Sequence, residues 1–393
     1  MTATAPVAHP LQENVSKVLP TLREHARWTD DNRRIHEATL DALAGTGALR
    51  MRVPARYSGE ETDFATLQSV IGEIARGDGA AAWNTAVWSM CAWLAGLFPD
   101  QVQDEVFADP DVRVCGVLSP SAQARPDGSD MIIDGRWAFV SGALHSQWQV
   151  VLAMAPAPGG DGVWPVMALV PTAELQLEDD WFTSGLRGTG SITTIADNVR
   201  VPMERVLPLP LVLQGQYATE LNQASPVWNA PMMATGSACF AGAAVGLARA
   251  AVETFHDRLP GRKITYTAYE SRREAPVTHL HVAEAAYLAD EAEFHARRIA
   301  GDLDRKGLAR EPWTPPERIA ARAALGRTFR QAAGAVEALA TASGGSGLYS
   351  TDPIQRIRRD VQALNLHALM HPDTNAELYG RALCGLDPNT SYL

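Results

Sequence analysis

Met131-Ile-Ile-Asp-Gly-Arg-Trp-Ala-Phe-Val-Ser-Gly142 is the stretch on which the fold turns. Both of its arms are rich in β-branched and aromatic residues, and the Asp134-Gly135 pair between them tolerates the positive φ angles of a two-residue turn. It therefore reads as a hairpin. Trp137, Phe139 and Ser141 should share one face of its second strand, with Ala138 and Val140 on the other. Outward from it, residues 150–155, 163–170 and 192–201 are further strand candidates, the last closed by Pro202. A β domain over 111–215 follows, in which Gly159-Gly160 reads as a loop.

On either side the period changes to that of helices. Leu11, Val15, Val18, Leu19 and Leu22 recur at helical spacing, and Leu40 and Leu43 mark a second helix ended by Gly45 and Gly47. Leu67, Val70, Ile71 and Ile74 lie on one face of a third helix over 63–76. A fourth, over 80–97, is apolar nearly all round and should be buried. Pro99 and Pro110 then break the pattern. From about Ala230 helices return, with Phe240, Ala244, Leu247, Ala251 and Phe255 along one stripe and further helices over 277–303, 316–343 and 353–371. Small residues from Ala238 to Ala248 permit close helix approach, and the Pro/Arg-rich 308–316 stretch reads as a connection. The order is a helical unit over 1–110, the β domain over 111–215 and a helical bundle over 216–393.

Composition narrows the function. With 34 Lys+Arg against 45 Asp+Glu the net charge is −11, which argues against nucleic acid or an anionic membrane as partner. No apolar run reaches the roughly 18 residues of a membrane span, and the first ten residues lack the pattern of a signal peptide. Cys91, Cys115, Cys239 and Cys384 are widely spaced, which suggests free thiols in a reducing cytoplasm and no metal site. His279 and His281, two residues apart on a helix, face different ways and make no metal pair. There is no phosphate-binding loop ending in Lys-Ser/Thr and no nucleophile elbow. Gly185-Leu-Arg-Gly-Thr-Gly190 has a dinucleotide-like spacing but sits in a β region.

Three motifs in order carry a resemblance. They are Gly135–Gly142 followed by Trp148; Trp181, then Gly185 to Ser191 and Val199-Arg-Val-Pro202; and Gly344-Gly-Ser-Gly347 followed by Pro353 to Arg356 and Arg359-Asp360. The chain resembles the acyl-CoA dehydrogenase superfamily. That implies an α+β, mainly helical fold: an N-terminal helical domain, a central β-barrel or sandwich domain and a C-terminal four-helix bundle. It also implies a flavin, with Phe139 against the ring and Ser141 at N5. Both positions where the dehydrogenases keep their carboxylate base are empty, since Ala368 stands eight residues after Asp360 and residues 221–249 contain no Asp or Glu.

His367, seven residues after Asp360, resembles instead the two-component (group D) flavin-dependent monooxygenases. That branch implies reduced flavin (FMNH2 or FADH2) from a separate NAD(P)H-dependent reductase, and O2 adding to it as a C4a-hydroperoxide. It implies His367 as a catalytic proton acceptor and Trp83 beside flavin and substrate; His371, one helical turn later on the same face, is the alternative base. Cys91 stands where some phenol hydroxylases place a histidine, with Trp88 nearby, and this favours a larger, apolar aromatic or polycyclic substrate. Ser119, at the strand that follows the helical domain, and Arg262 or Lys263, after the long helix, match further flavin-contacting positions, and a homotetramer, or at least a dimer, is expected. The alternatives are an N-hydroxylase of an amine or amino sugar, a dehydrogenase with a displaced base, and a non-catalytic flavin-binding subunit.

Overall fold

The computed structural model describes residues 9–157 and 162–393, so the Gly159-Gly160 loop lies outside the described residues. Helices α1 (Pro10–Asn32), α2 (Glu37–Thr46), α3 (Phe64–Gly77) and α4 (Gly79–Ala95) follow the apolar periodicity. Asp63 caps α3 by accepting from Thr66 N, and Asp78 caps α4 by accepting from Ala80 N and Ala81 N. Every residue of α4 is buried, as its all-round apolar sequence requires. A further short helix, α5 (Asp100–Val106), starts directly after Pro99, where the sequence suggested only a break. Proline is tolerated at such a boundary because it fixes φ without needing a donor.

Among the described residues eight strands form one sheet: β1 (Val114–Gly116), β2 (Ala122–Asp127), β3 (Asp130–Val140), β4 (Trp148–Pro156), β5 (Val163–Pro171), β6 (Gln176–Glu178), β7 (Ile192–Pro202) and β8 (Val206–Pro208). Their order is β6-β7-β3-β2-β4-β5-β8, and β1 pairs with β4. The expected hairpin at Asp134-Gly135 is not there. Residues Asp130–Val140 are one strand, and the tight turn precedes it at Gly128-Ser129, where Gly128 has φ +65°. Asp134-Gly135 instead sits at a register shift against β7, the mark of a β-bulge. Asn198 N donates to Asp134 Oδ1 there, and a Cβ on Gly135 would lie 2.2 Å from that of Ala122.

A second register shift, between Trp137 and Val140, overturns the expected alternation. Phe139 has φ +66°, so Trp137 and Val140 both turn inward while Phe139 is 67% exposed. A bulky residue at positive φ is strained, and such strain persists only where surrounding structure enforces it.

After a short α6 (Leu209–Leu213) come α7 (Met232–Asp257), α8 (Pro276–Ala309) and α9 (Pro315–Ala342). The small residues of α7 serve the close approach expected of them: a Cβ on Gly246 would lie 2.2 Å from Gly72 O of α3, so the two backbones nearly touch. Although α7 is long and apolar enough to cross a membrane, 78% of its most apolar window is buried inside the protein. The expected helix over 353–371 is two: α10 (Pro353–Asn365) and α11 (Pro372–Leu383), the second opened by its first-turn proline. His367 and His371 therefore do not share a helical face. His367 lies in the connecting turn, and His371 is the N-cap of α11.

Candidate active site

Trp83, in the first turns of α4, joins the elements. Its Nε1–H donates to Ser141 Oγ at 2.9 Å, its ring stacks on Phe240 of α7 at 4.9 Å, and its edge meets the His367 ring at 5.4 Å. Phe240 and His367 are themselves 6.2 Å apart. The helices thus bring together three of the residues singled out in the sequence, Trp83, Ser141 and His367. Phe139, two residues before Ser141, adds an exposed ring edge-on to Trp181 at 5.8 Å.

Ser141 belongs to a buried row of hydroxyls. Its Oγ is 2.7 Å from Ser191 Oγ, which is 2.6 Å from Thr189 Oγ1, which donates to Leu186 O at 2.8 Å. Ser191 and Thr189 lie in the Gly185–Ser191 motif but are not among the site residues the sequence points to. Their signal was the short alternation of hydroxyl-bearing residues beside a strand start.

The glycines of that motif meet helices and not a phosphate. A Cβ on Gly185 would fall 2.1 Å from Arg359 O, and one on Gly188 would fall 2.2 Å from Thr29 Cγ2. Asp360 Oδ1 accepts from Leu186 N at 2.7 Å, and Arg359 Nη1 donates to Ser184 O at 2.5 Å. The Arg-Asp pair therefore clamps the loop carrying Thr189 to the helix preceding His367. Burial pushes the Asp360 carboxyl up to about 7, helped by Asp30 and Asp78 and opposed by Arg356.

Burial lowers the His367 imidazole to about 4, although more than a third of the residue remains open. Trp83 and Phe240 crowd the ring while part of the residue stays open. Leu369 N donates to His367 Nδ1 at 3.2 Å, so the neutral ring carries its proton on Nε2. Gly236 of α7 lies beside the same group: a Cβ there would stand 3.6–3.7 Å from Leu369, Phe240 and Met90.

The other expected residues are spread more widely. Trp88 is buried, with Nε1–H donating to Ser146 Oγ at 3.0 Å. Cys91 is buried next to Gly116, and burial pushes its thiol well above the usual range. Ser119 is exposed in the loop between β1 and β2, not on a strand as expected. Arg262 donates to Ser346 Oγ at 2.6 Å, beside Arg272, which reaches Ser343 O. This cluster brings the Gly344–Gly347 motif to the end of α7, apart from Ser141. A surface cavity of about 450 Å³ between Tyr217, Asn229, Arg310 and Arg318 shares no residue with the Trp83 group. Among the described residues no group of three His, Cys, Asp or Glu could hold a metal ion.

Comparison with known proteins agrees with this fold. The acyl-CoA dehydrogenase N-terminal domain model matches residues 9–106, and the acyl-CoA dehydrogenase C-terminal domain model matches residues 238–372. The oxygenase component of FADH2-dependent resorcinol hydroxylase from Rhizobium sp. is 30% identical over 393 residues, covering 96% of this chain and 95% of that protein. The oxygenase subunit HsaA of a flavin-dependent monooxygenase from Rhodococcus jostii is 29% identical, covering 95% of this chain and 98% of that one. Among solved structures, a 3-HSA hydroxylase from a Rhodococcus species superposes with a TM-score of 0.91 at 27% identity, covering 98% and 99% of the two chains. XiaF from Streptomyces sp., in complex with FADH2 and glycerol, gives 0.91 at 26% identity, covering 98% and 97%.

The fold defines an acyl-CoA dehydrogenase-type flavoprotein. Within that class the chain belongs to the two-component flavin-dependent monooxygenases, as an oxygenase component that uses reduced flavin and O2 to hydroxylate an aromatic compound. An oxygenase component works with a separate flavin reductase.

Proposed function

We propose that reduced flavin and an apolar, polycyclic aromatic substrate meet at the Trp83–Ser141–His367 group. One observation carries this reading: a single indole hydrogen-bonds the hydroxyl next to a strained, exposed phenylalanine and also packs on a recessed imidazole. An exposed aromatic face beside a buried hydroxyl fits a flat heteroaromatic ring with a polar edge. Phe139 would cover that ring, Ser141 would hold its N5 edge, and the Arg262 cluster suits its phosphate. The bound flavin supplies O2 activation and the oxygen transfer, leaving binding, orientation and water exclusion to the protein.

His367 takes the substrate side. With its Nδ1 engaged by Leu369 and its pKa near 4, it is neutral at pH 7 and offers an Nε2–H. It therefore stabilises a substrate oxygen that gains negative charge, where the sequence pointed to a proton acceptor. Trp83, Phe240, Met90 and Leu369 supply no carboxylate around it, which disfavours an amine or amino sugar. Cys91 and Trp88 then act as inner wall, and His371 as a helix cap.

We further propose NAD(P)H as the reductase's electron source, a cytoplasmic location in keeping with free thiols, and a homotetramer. The tetramer is supported by Leu280, Tyr287 and Phe294, which stand exposed at seven-residue spacing along α8. Light scattering at the mass of one chain, with full flavin binding, would contradict it. The central reading is tested by anaerobic mixing with FMNH2 or FADH2, then with O2 and a set of mono- and polycyclic phenols. Delayed return of the oxidised-flavin spectrum, with hydroxylated product, supports it. Re-oxidation as fast as free flavin, with no product from any of them, overturns it.

A further inference from the structure

The hydroxyl row behind Phe139 has a direction. Trp83, Ser141, Ser191 and Thr189 are all buried, so their polar atoms must find partners among themselves, in nearby protein groups or in a bound ligand. At one end, an indole N–H can only donate, and it does so to Ser141 Oγ at 2.9 Å. At the other end, a carbonyl oxygen can only accept, so the 2.8 Å contact between Thr189 Oγ1 and Leu186 O holds the threonine proton. That carbonyl is itself held in place by Trp181 Nε1–H at 2.9 Å. Each of the two contacts between, 2.7 Å from Ser141 to Ser191 and 2.6 Å from Ser191 to Thr189, has room for one proton. Thr189 has spent its proton on Leu186, so it accepts from Ser191. Ser191 in turn accepts from Ser141.

Donation thus runs Trp83 → Ser141 → Ser191 → Thr189 → Leu186. Reversing it would leave two buried oxygens 2.8 Å apart with no proton between them. In the forward direction Ser141 has given away its only proton and filled one lone pair. One lone pair remains, and it can only accept.

We infer that Ser191 and Thr189 are positioning residues that lock Ser141 as a hydrogen-bond acceptor, so that the site favours reduced over oxidised flavin. The inference rests on the proposed placement of flavin beside Ser141. Reduced flavin carries a proton on N5, and oxidised flavin carries a lone pair there. The reduced form meets the free lone pair of Ser141 directly. The oxidised form either meets two facing lone pairs or must reverse the row at the cost of the Thr189–Leu186 bond. An oxygenase component that receives reduced flavin and has to release the oxidised form gains turnover from that asymmetry.

The test is a binding measurement without substrate or O2. Dissociation constants of oxidised and reduced FMN and FAD are measured for the folded protein and for S191A, T189V, T189S and S141A. Loss of Ser191 frees the Ser141 hydroxyl to turn and donate. The ratio of oxidised to reduced dissociation constants should then fall roughly 2- to 12-fold, the worth of one neutral hydrogen bond. T189V should act in the same direction, and T189S, which keeps the hydroxyl, should restore the original ratio. If S141A shifts the ratio but S191A and T189V both leave it unchanged, Ser141 meets the flavin without being held by the row, and the inference fails. If S141A itself leaves both affinities unchanged, the flavin does not lie at Ser141 and the underlying placement fails instead. S191A only shortens a side chain, so it carries the test if T189V does not fold.

Discussion

The two walls of the proposed site are built on different physics. The strand wall, from the end of β3 to the 185–191 loop, is held by directional bonds: the hydroxyl row, the Asp360 carboxyl on Leu186 N and the Arg359 guanidinium on Ser184 O. The helix wall, α4 against α7, is held by packing, with Trp83 on Phe240 and glycines where the α3 and α7 backbones meet. Hydrogen bonds fix where an atom sits and which way its proton points, and in a dry site an unmatched one is costly. Packing fixes shape and excludes water but tolerates small volume changes. The strand wall should therefore answer to changes in chemistry, and the helix wall to changes in size.

His367 packs on Trp83, which joins the two walls, and replacing it should have the largest effect. His367→Ala should leave reduced-flavin binding intact and lower product formation by about 10²–10³-fold, the usual loss for one donor to a developing charge. His367→Gln, which keeps an N–H donor but cannot act as a base, should recover part of that loss. A Gln variant as poor as Ala would return the role to a proton acceptor. Because burial holds the imidazole near 4, the wild type should show no His367 titration around 6.5 in its pH profile.

Next comes the strand wall itself. Gly185→Ala would drive a methyl group to 2.1 Å from Arg359 O, and a backbone atom cannot swing aside. The loop must shift, taking Thr189 and Ser191 with it. The melting temperature should fall by several degrees, and oxygen use should uncouple from product, seen as more H2O2 per flavin consumed. A variant with unchanged coupling would mean that the loop position does not matter to the flavin side.

How much of this was legible in the sequence follows the same division. The helix wall could be read because apolar spacing in α3, α4 and α7 reports burial directly. The Asp134-Gly135 pair misled because turns and bulges use the same residues. Only Ala122 and Asn198, brought in across the sheet, decide between them. Phe139 stands exposed beside Trp181, but its positive φ is imposed by pairing with β7 and has no local signature. The break between α10 and α11 was readable, since Pro372 is a helix-opening signal that the spacing of His367 and His371 obscured. Ser191 and Thr189 were overlooked because direction in a hydrogen-bond row exists only once Trp83 and Leu186 close its two ends.

A smaller effect is expected at Asp360, whose pKa is raised by burial to about 7 against an ordinary value of 3.8. The folded state therefore holds a proton there that the unfolded chain releases, and this stabilisation is lost as pH rises from about 4 through about 7. His367 and His145, both lowered to about 4, act oppositely: stability gained from them rises between about 4 and 6.5. The carboxylate is best isolated by difference. Asp360→Asn keeps an acceptor for Leu186 N and cannot ionise. Its melting temperature relative to wild type should climb by a few degrees between pH 4 and pH 7 and level off above. A difference that stays flat with pH would show that Asp360 titrates normally.

The helix wall gives the mildest prediction. Gly236→Ala adds a methyl group at ordinary contact distance, 3.6–3.7 Å, from Leu369, Phe240 and Met90, so no backbone has to move. Alanine in place of a helical glycine favours the helix by about 0.5–1 kcal/mol, so the variant should fold at least as well as wild type. The methyl group does occupy space next to the ring that packs on His367. One methylene in an apolar pocket typically shifts discrimination by about 1–3 kcal/mol, and one at the rim should sit at the low end, roughly 5- to 10-fold. The loss should fall on kcat/KM for polycyclic phenols and spare single-ring ones, with flavin affinity and H2O2 leak unchanged because the strand wall is untouched. If single-ring and polycyclic substrates lose equally, Gly236 does not border the substrate. If the leak rises instead, the walls are coupled through Trp83, and the separation of orientation from shape does not hold.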